Sequence, residues 1–428
     1  MSYPGRAARV DPWYRIAAAL LLALSVAACG NLFAAPTPKP TVAPTTQPTA
    51  SPTAVPTDTP IPSIVAVPSF VQAVPSNYGA HLDTAMAASL QAALVSIQTG
   101  GSYPGASAAV MFPDGSVWTG VSGMAVVSSS KKVTTSTLFS DGSISKTFVA
   151  ALAIKLAAAG TIGLDDVLSK YVPSFKYASR VTLRQLLDHT SGLPDLFDKL
   201  DNQILANPTA KWTVQQVLAV IRAPTFTPGT NYHYSNTDFV LLGMAIEKAT
   251  GKTVAALVKS MFLTPLGLTH TFLQTEQKAT GPEAHGYMLN KTKPPTIRDN
   301  FAGTMLPFTA EATAVSFAGA YVSTASDLAR WANALYGGYV LDPASLAEMV
   351  DLSPSLPFNP HYPYGLGFEE TTVAGHVAWG HRGHLDGFWA AMEYLPAYHV
   401  TIVLLTNADW TNPLTDTSTL AQVAIAGA

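Results

Sequence analysis

"SDGSISKTFVAALAIKLAAAG", Ser140 to Gly160, sets a serine and a lysine three residues apart at the head of an alanine-rich apolar run. The run predicts an amphipathic helix beginning near Ser143. Positions i and i+3 share a helix face, so the Lys146 amine is directed toward the Ser143 hydroxyl. Ser145 and Lys146 are adjacent, point about 100° apart, and do not form such a pair. A helix start also carries free amides and a positive dipole end, which stabilise an oxyanion. Lys146 acts as a base only if desolvation lowers its pKa toward neutrality, and its apolar neighbours favour that. The plain alternative is an N-cap serine followed by a surface lysine. The spacing alone does not choose between them. "VVSSSKKVT" just upstream holds it twice, as Ser128 with Lys131 and Ser129 with Lys132, but no helix pattern follows there.

The chain of 428 residues allows one large domain or two to three average ones. Hydrophobic residues make up 48% and charged ones 12%, with a net charge of −3. The charged share is about half the usual globular value. No basic cluster is interleaved with aromatics, so nucleic acid is not an expected partner. The single cysteine, Cys29, excludes an intramolecular disulfide and follows a telling segment. Arg6, Arg9 and Arg15 precede the apolar run Ile16 to Ala28, and "VAAC" closes it. A positive flank, a short apolar core and small residues predict a secretory signal over 1–28. The site resembles that of bacterial lipoproteins, which implies lipidation of Cys29 and an extracytoplasmic, membrane-anchored protein.

Residues 29–76 read as a tether. Prolines recur at Pro36, Pro40, Pro44, Pro48, Pro52, Pro56 and Pro60 with threonines between. Frequent proline fixes φ and removes donors, so this predicts an extended, coreless segment. From Ala35 to Ser63 it reaches on the order of 90 Å at ~3.1 Å per residue. From residue 77 to 428 the composition is globular. "HLDTAMAASLQAALVSIQ" predicts a helix, and "ASAAVMFPDGSVWTG" predicts two strands about an Asp114–Gly115 turn. The middle is mostly helical in pattern, with Thr324 and Asp327 spaced as a capping box before "ASDLARWANALYGG". "WAAMEYLP" and "HVTIVLLTN" return to strands, and a last helix follows. The expected fold is an α/β (α+β) domain whose antiparallel sheet comes from both chain ends, with a helical subdomain inserted.

Two further clusters carry chemistry. In "GTNYHYSNTDFVLLG", Tyr234 is a candidate second acid/base and Asn236 a side-chain amide for fixing the lysine and substrate; equally, Asn236 or Thr237 caps the following helix. In "WGHRGHLDGFWAAMEY", His381-Arg382-Gly383 opens an expected strand, where glycine allows a substrate backbone to approach. His376, His381, His384 and Asp386 crowd together, but no His-Glu-x-x-His or repeated zinc-type spacing accompanies them, so no metal is expected.

Taken in order, Ser143-x-x-Lys146, Tyr234-x-Asn236 and His381-x-Gly383 resemble the three motifs of the serine β-lactamase and penicillin-binding protein superfamily. The branch of class C β-lactamases, D-alanyl-D-alanine carboxypeptidases and esterases is the most similar. "VTLRQLLDHTSGLPD", "YGLGF" and "LLTN" fit its flanking segments, from Tyr78 to the C-terminus. The resemblance implies a β-lactamase/transpeptidase-like fold and an acyl-enzyme on Ser143, with no cofactor. Lys146 and Tyr234 would share proton transfer, and Asn236 would orient Lys146 and the substrate amide. His381 would stand at the lysine of Lys-Thr-Gly, and the amides of Ser143 and His384 would form the oxyanion hole. Arg382 departs from the usual Thr or Ser that binds a substrate carboxylate, and His384 is bulky where small residues are frequent. Both put lactam turnover in doubt. The expected substrate is a peptide, ester or lactam, and the expected state a monomer. A lipoprotein that binds a solute or wall fragment without catalysis is the competing class.

Overall fold

Apolar runs from the two ends of the domain meet in one sheet. The computed structural model describes residues 80–426 apart from 291–295, 356 and 360–362. The expected signal segment, Cys29 and the proline-rich tether therefore lie outside the described residues. The main strands are β1 (Gly105–Met111), β2 (Ser116–Val126), β3 (Glu369–Val373), β4 (His376–Leu385), β5 (Phe388–Leu395) and β6 (Val400–Thr406). Their order is β2-β1-β6-β5-β4-β3, each neighbour antiparallel. The two-residue segments Ala80–His81 and Lys131–Lys132 both pair with β2. The chain ends join at β1–β6, where Met111 faces Thr401 and Ala106 faces Thr406.

Both of these central strands are buried on both faces. That is why they read as continuous apolar runs and not as alternation. The helices that frame the sheet and the site are α1 (Thr84–Gly100), α2 (Ser145–Ala158), α3 (Asn236–Thr250), α4 (Ala325–Tyr336) and α5 (Pro413–Ile425). Ala106, Ala108, Val110, Ile402 and Leu404 pack with Leu90, Leu94, Leu420 and Ala421 of α1 and α5. Ala109, Met111, Val403 and Leu405 belong to the larger core shared with α2, α3 and α4. The pleat thus splits one strand between two cores. α1 starts where the Asp83 carboxylate accepts the Ala85 and Met86 amides, each at 3.1 Å.

α2 differs from its expected amphipathic form. Every residue from Ser145 to Leu156 is buried, so the helix has no wet face and is enclosed by its neighbours. Phe148 stacks between Tyr321 and Trp331, with ring centroids 4.9 and 4.3 Å away. Trp331 Nε1 donates to Thr147 Oγ1 at 2.8 Å. Truncating Phe148 to alanine would cost about 3–5 kcal/mol and loosen the helix that carries the lysine.

Other differences are local. The inserted region contains a small sheet of Phe139–Ser140, Tyr321–Ser323 and Phe272–Leu273, and a hairpin of Tyr287–Asn290 with Thr296–Asp299. Each strand is too short to leave a periodic signal. Thr324 accepts the Asp327 amide at 3.3 Å, but the Asp327 carboxylate turns to the His270 amide and the Thr271 hydroxyl, so the capping box is half made. Among the described residues no helix is long and apolar enough to cross a membrane.

Candidate active site

The chain reaches Ser143 through the Phe139–Ser140 strand and a single 3-10 turn, Gly142–Ile144, which runs directly into α2. Neither helix start has a side-chain cap bond, so Ser143 is not an N-cap. Lys146 is fully buried, so it is not a surface lysine. Its Nζ lies 2.9 Å from Ser143 Oγ, 2.8 Å from Asn236 Oδ1 and 2.8 Å from the Ala318 carbonyl oxygen. Burial pushes the Lys146 amine down to about 7, against the pull of Asp195, Glu369 and Asp238. An amine that is half neutral near pH 7 and in contact with a serine hydroxyl can take its proton. The upstream pairs end in exposed lysines, Lys131 and Lys132.

Asn236 is the first residue of α3, after Ser235 at the N-cap position. The Ser235 hydroxyl donates to the Pro194 carbonyl at 3.1 Å. The side chain of Asn236 is therefore not a cap; it bridges Lys146 and the buried carboxylate of Asp195. The Tyr234 ring lies beside the lysine, its centroid 4.8 Å from Nζ, and packs on His189 at 4.3 Å and near His381 at 6.3 Å.

The third motif lies within β4 and does not open it, because the strand begins five residues earlier at His376. His381 is buried; its Nδ1–H donates to the Arg382 carbonyl at 2.6 Å, which leaves Nε2 to accept from the Tyr364 hydroxyl at 3.0 Å. Burial lowers His381 to about 4, so the imidazole is neutral at pH 7. Arg382 is held within the sheet, its Nε donating to Glu369 Oε2 of β3 at 2.8 Å. Burial works to raise Glu369, but the Arg382 guanidinium leads the opposing influences that bring it down to about 2. One edge of the Arg382 fork is thus committed to the protein. His384 is pinned too, Nε2 to Asp409 Oδ1 at 2.6 Å with its ring 4.4 Å from Trp389.

Gly383 also has a packing reason. A Cβ there would sit 1.8 Å from the Asp141 carbonyl oxygen and 3.2 Å from the Ser143 amide nitrogen. On Gly142, at φ +51°, a Cβ would sit 2.7 Å from the His384 amide nitrogen. The nucleophile turn presses on β4 at this glycine. The approach sets the turn that carries the Ser143 amide against the part of β4 that carries the His384 amide.

The histidines of the third cluster go to separate partners: His376 to Tyr398, His381 to Tyr364 and His384 to Asp409. Among the described residues, no group of three or more His, Cys, Asp and Glu side chains is arranged for a metal. Several residues of the site escaped the sequence reading. Asp195 and His189 sit in "DHTSGLPD", which gave only a flanking likeness. His189 Nδ1 and Ser191 Oγ lie 2.9 and 2.6 Å from the Asp238 carboxylate, under the tyrosine ring. Tyr364 opens "YGLGF", which likewise gave only a flanking likeness, and Glu369 carries no pattern and is recognisable only by what it touches.

The "Beta-lactamase" family model matches residues 84–426, and the chain belongs to that family. It is a serine hydrolase of the β-lactamase and penicillin-binding protein superfamily. It is 28% identical over 299 residues to penicillin-binding protein 4* of Bacillus subtilis, covering 67% of this chain and 64% of that one. The chain spans less than two thirds of the length of curated relatives that it matches. Among solved structures it is similar to a D-stereospecific amidohydrolase from Streptomyces sp., with TM-score 0.68 and 29% identity over 80% of this chain and 99% of that one. It is also similar to the D-amino acid amidase of Ochrobactrum anthropi SV3, with TM-score 0.68 and 25% identity over 80% and 99%.

Proposed function

We propose that this chain is an extracytoplasmic hydrolase that forms an acyl-enzyme on Ser143 and acts on amides, peptides or esters of a D-configured acyl residue. The observation that carries the chemistry is the 2.9 Å contact between Ser143 and a buried Lys146 titrating near 7. Neutral Lys146 takes the Ser143 proton as Oγ attacks the substrate carbonyl carbon. The oxyanion forms between the amides of Ser143 and His384. Lys146 and Tyr234 return the proton to the leaving nitrogen or oxygen, which departs as amine or alcohol. Water then attacks the ester carbon, the acid is released and Ser143 regains its proton.

The D-configuration rests on the amidohydrolase and amidase likenesses. An uncharged leaving group fits the β4 wall, where His381 is neutral and Arg382 is tied to Glu369. That favours an amidase or esterase over a D-alanyl-D-alanine carboxypeptidase, whose substrate ends in a carboxylate. Cell-wall location, implied by the lipobox-like "VAAC" and the tether, is what supports the carboxypeptidase. A purely binding lipoprotein would gain nothing from a lysine held at the serine.

The test is to incubate the domain from Asn77 onward with D-phenylalanine amide, p-nitrophenyl acetate and a fluorescent penicillin, against Ser143→Ala. Turnover of the D-amide or ester, lost in the variant, is the expected result. A stable penicillin adduct with no amide turnover would shift the reading to the carboxypeptidase. Turnover or labelling that survives Ser143→Ala would sink it. Anchoring is tested by palmitate labelling of the whole chain, expected in wild type and absent in Cys29→Ser.

A further inference from the structure

Beyond the serine and lysine, one carboxylate reaches the lysine through a single side chain. Asp195 follows the "HTSGLP" loop and is almost entirely buried. Its Oδ2 accepts from Asn236 N at 3.1 Å and from Asn236 Nδ2 at 2.9 Å, and its Oδ1 accepts from Phe197 N at 2.9 Å. Burial alone raises an acid, and it does so here. Three N–H donors converging on the group nonetheless favour the charged form. The contact also settles the Asn236 amide. With Nδ2 on Asp195 and Oδ1 on Lys146, both contacts join a donor to an acceptor; flipped, nitrogen would meet the lysine and oxygen the carboxylate.

We propose that Asp195 is a positioning residue for acyl transfer: it turns Asn236 so that Oδ1 grips Lys146, and it governs the protonation of Lys146 through that bridge. Ser143, Lys146, Asn236 and Asp195 then form one line, each within 2.9 Å of the next. The role rests on the acyl-enzyme reading above. Other groups face the lysine as well: Asp238 of α3, Glu369 of β3, His381 of β4, His189 from the loop, and Tyr234. Glu369 is paired with Arg382, burial holds Asp238 up, and burial keeps both histidines neutral. Asp195 is the leading pull on Lys146 toward its charged form.

The sign follows. Removing the Asp195 charge makes the ammonium easier to deprotonate, so the acidic limb of kcat/KM moves to lower pH. For Asp195→Asn the expected displacement is about one pH unit, the size a nearby opposite charge produces. A fall in kcat of at least about 10-fold accompanies it, because an amide has one acceptor oxygen and cannot take all three N–H donors, so the hold on Asn236 loosens. Asp195→Glu keeps the charge, so its limb stays at the wild-type position while kcat falls. A merely structural role would lower rate or stability without moving the limb. If Asp195→Asn does not fold, Asp195→Ser serves, since it also removes the charge. The Lys146 titration is read independently by NMR on lysine-labelled protein, which needs no turnover. A wild type that hydrolyses nothing would refute the acyl-enzyme reading and leave the NMR test standing. A Lys146 titration and limb that coincide in wild type and in the charge-removing variant overturn the proposal.

Discussion

On the α2–α3 wall of the site, Ser143, Lys146 and Asn236 satisfy one another at 2.8–2.9 Å. On the β4 wall, His381 and Arg382 turn to Tyr364 and Glu369 instead. The first wall is built from helix starts, where polar side chains and free amides converge on one point. The second is a strand, whose side chains find partners along the sheet. The proton-transfer groups are therefore preorganised by contact with each other. What the strand offers a substrate is mainly shape and backbone, because its charges are already compensated. On the proposed mechanism, proton transfer belongs to the first wall, while the second supplies an oxyanion amide and the surface that meets the substrate.

The sharpest way to break this division is to remove the lysine. Lys146→Met should lower kcat/KM by on the order of 10³-fold or more. In the wild type, kcat/KM should rise with pH through about 7, because Lys146 must be neutral to accept the proton. A profile flat from pH 5 to 9 would exclude the amine as base.

Next comes Arg382→Thr, which puts here the residue that the family resemblance leads one to expect. It takes the guanidinium away from the buried Glu369 carboxylate and should cost about 3–5 kcal/mol in denaturant unfolding. If stability is unchanged and only KM rises, Arg382 reads substrate and the two walls are less distinct than argued. Nitrocefin turnover by the wild type should be slow or absent, and rapid hydrolysis would point the same way.

Gly383→Ala tests the seam between the walls. Its methyl meets the Asp141 carbonyl, so strain of about 1–3 kcal/mol should appear along with loss of acylation rate. A variant that is stable but dead would isolate the oxyanion geometry.

The smallest effect should come from Glu393→Gln in β5. Glu393 is fully buried, and burial raises it to about 8. The folded state then holds a proton that the unfolded chain loses near its ordinary carboxyl value. Wild-type stability falls as pH rises through that window to about 8. The glutamine variant lacks this slope, so its melting temperature should gain a few degrees over wild type by pH 8 and none at pH 4. The site should be indifferent to it.

The legible parts had a period or a motif. α1, α3, α4 and strands β1, β2, β5 and β6 follow from apolar patterning, and the serine and lysine from their spacing at a helix start. The illegible parts depended on chain crossings. Nothing local marks Tyr364 as the partner of His381, 17 residues away, or Asp195 as that of Asn236, 41 away. The β4 boundary was missed because the stretch before the motif, "HVAWG", is too brief to establish alternation.

By itself the sequence determined the antiparallel sheet drawn from both chain ends, the helical insertion and the ordered motifs, because patterning and spacing are local properties. Only the tertiary structure decided that Ser143 is not a cap, that Lys146 is dry enough to titrate near 7, and that Arg382 is paired. Burial, hydrogen-bond direction and a neighbouring charge come from segments tens to hundreds of residues apart, and they exist only once the chain has folded.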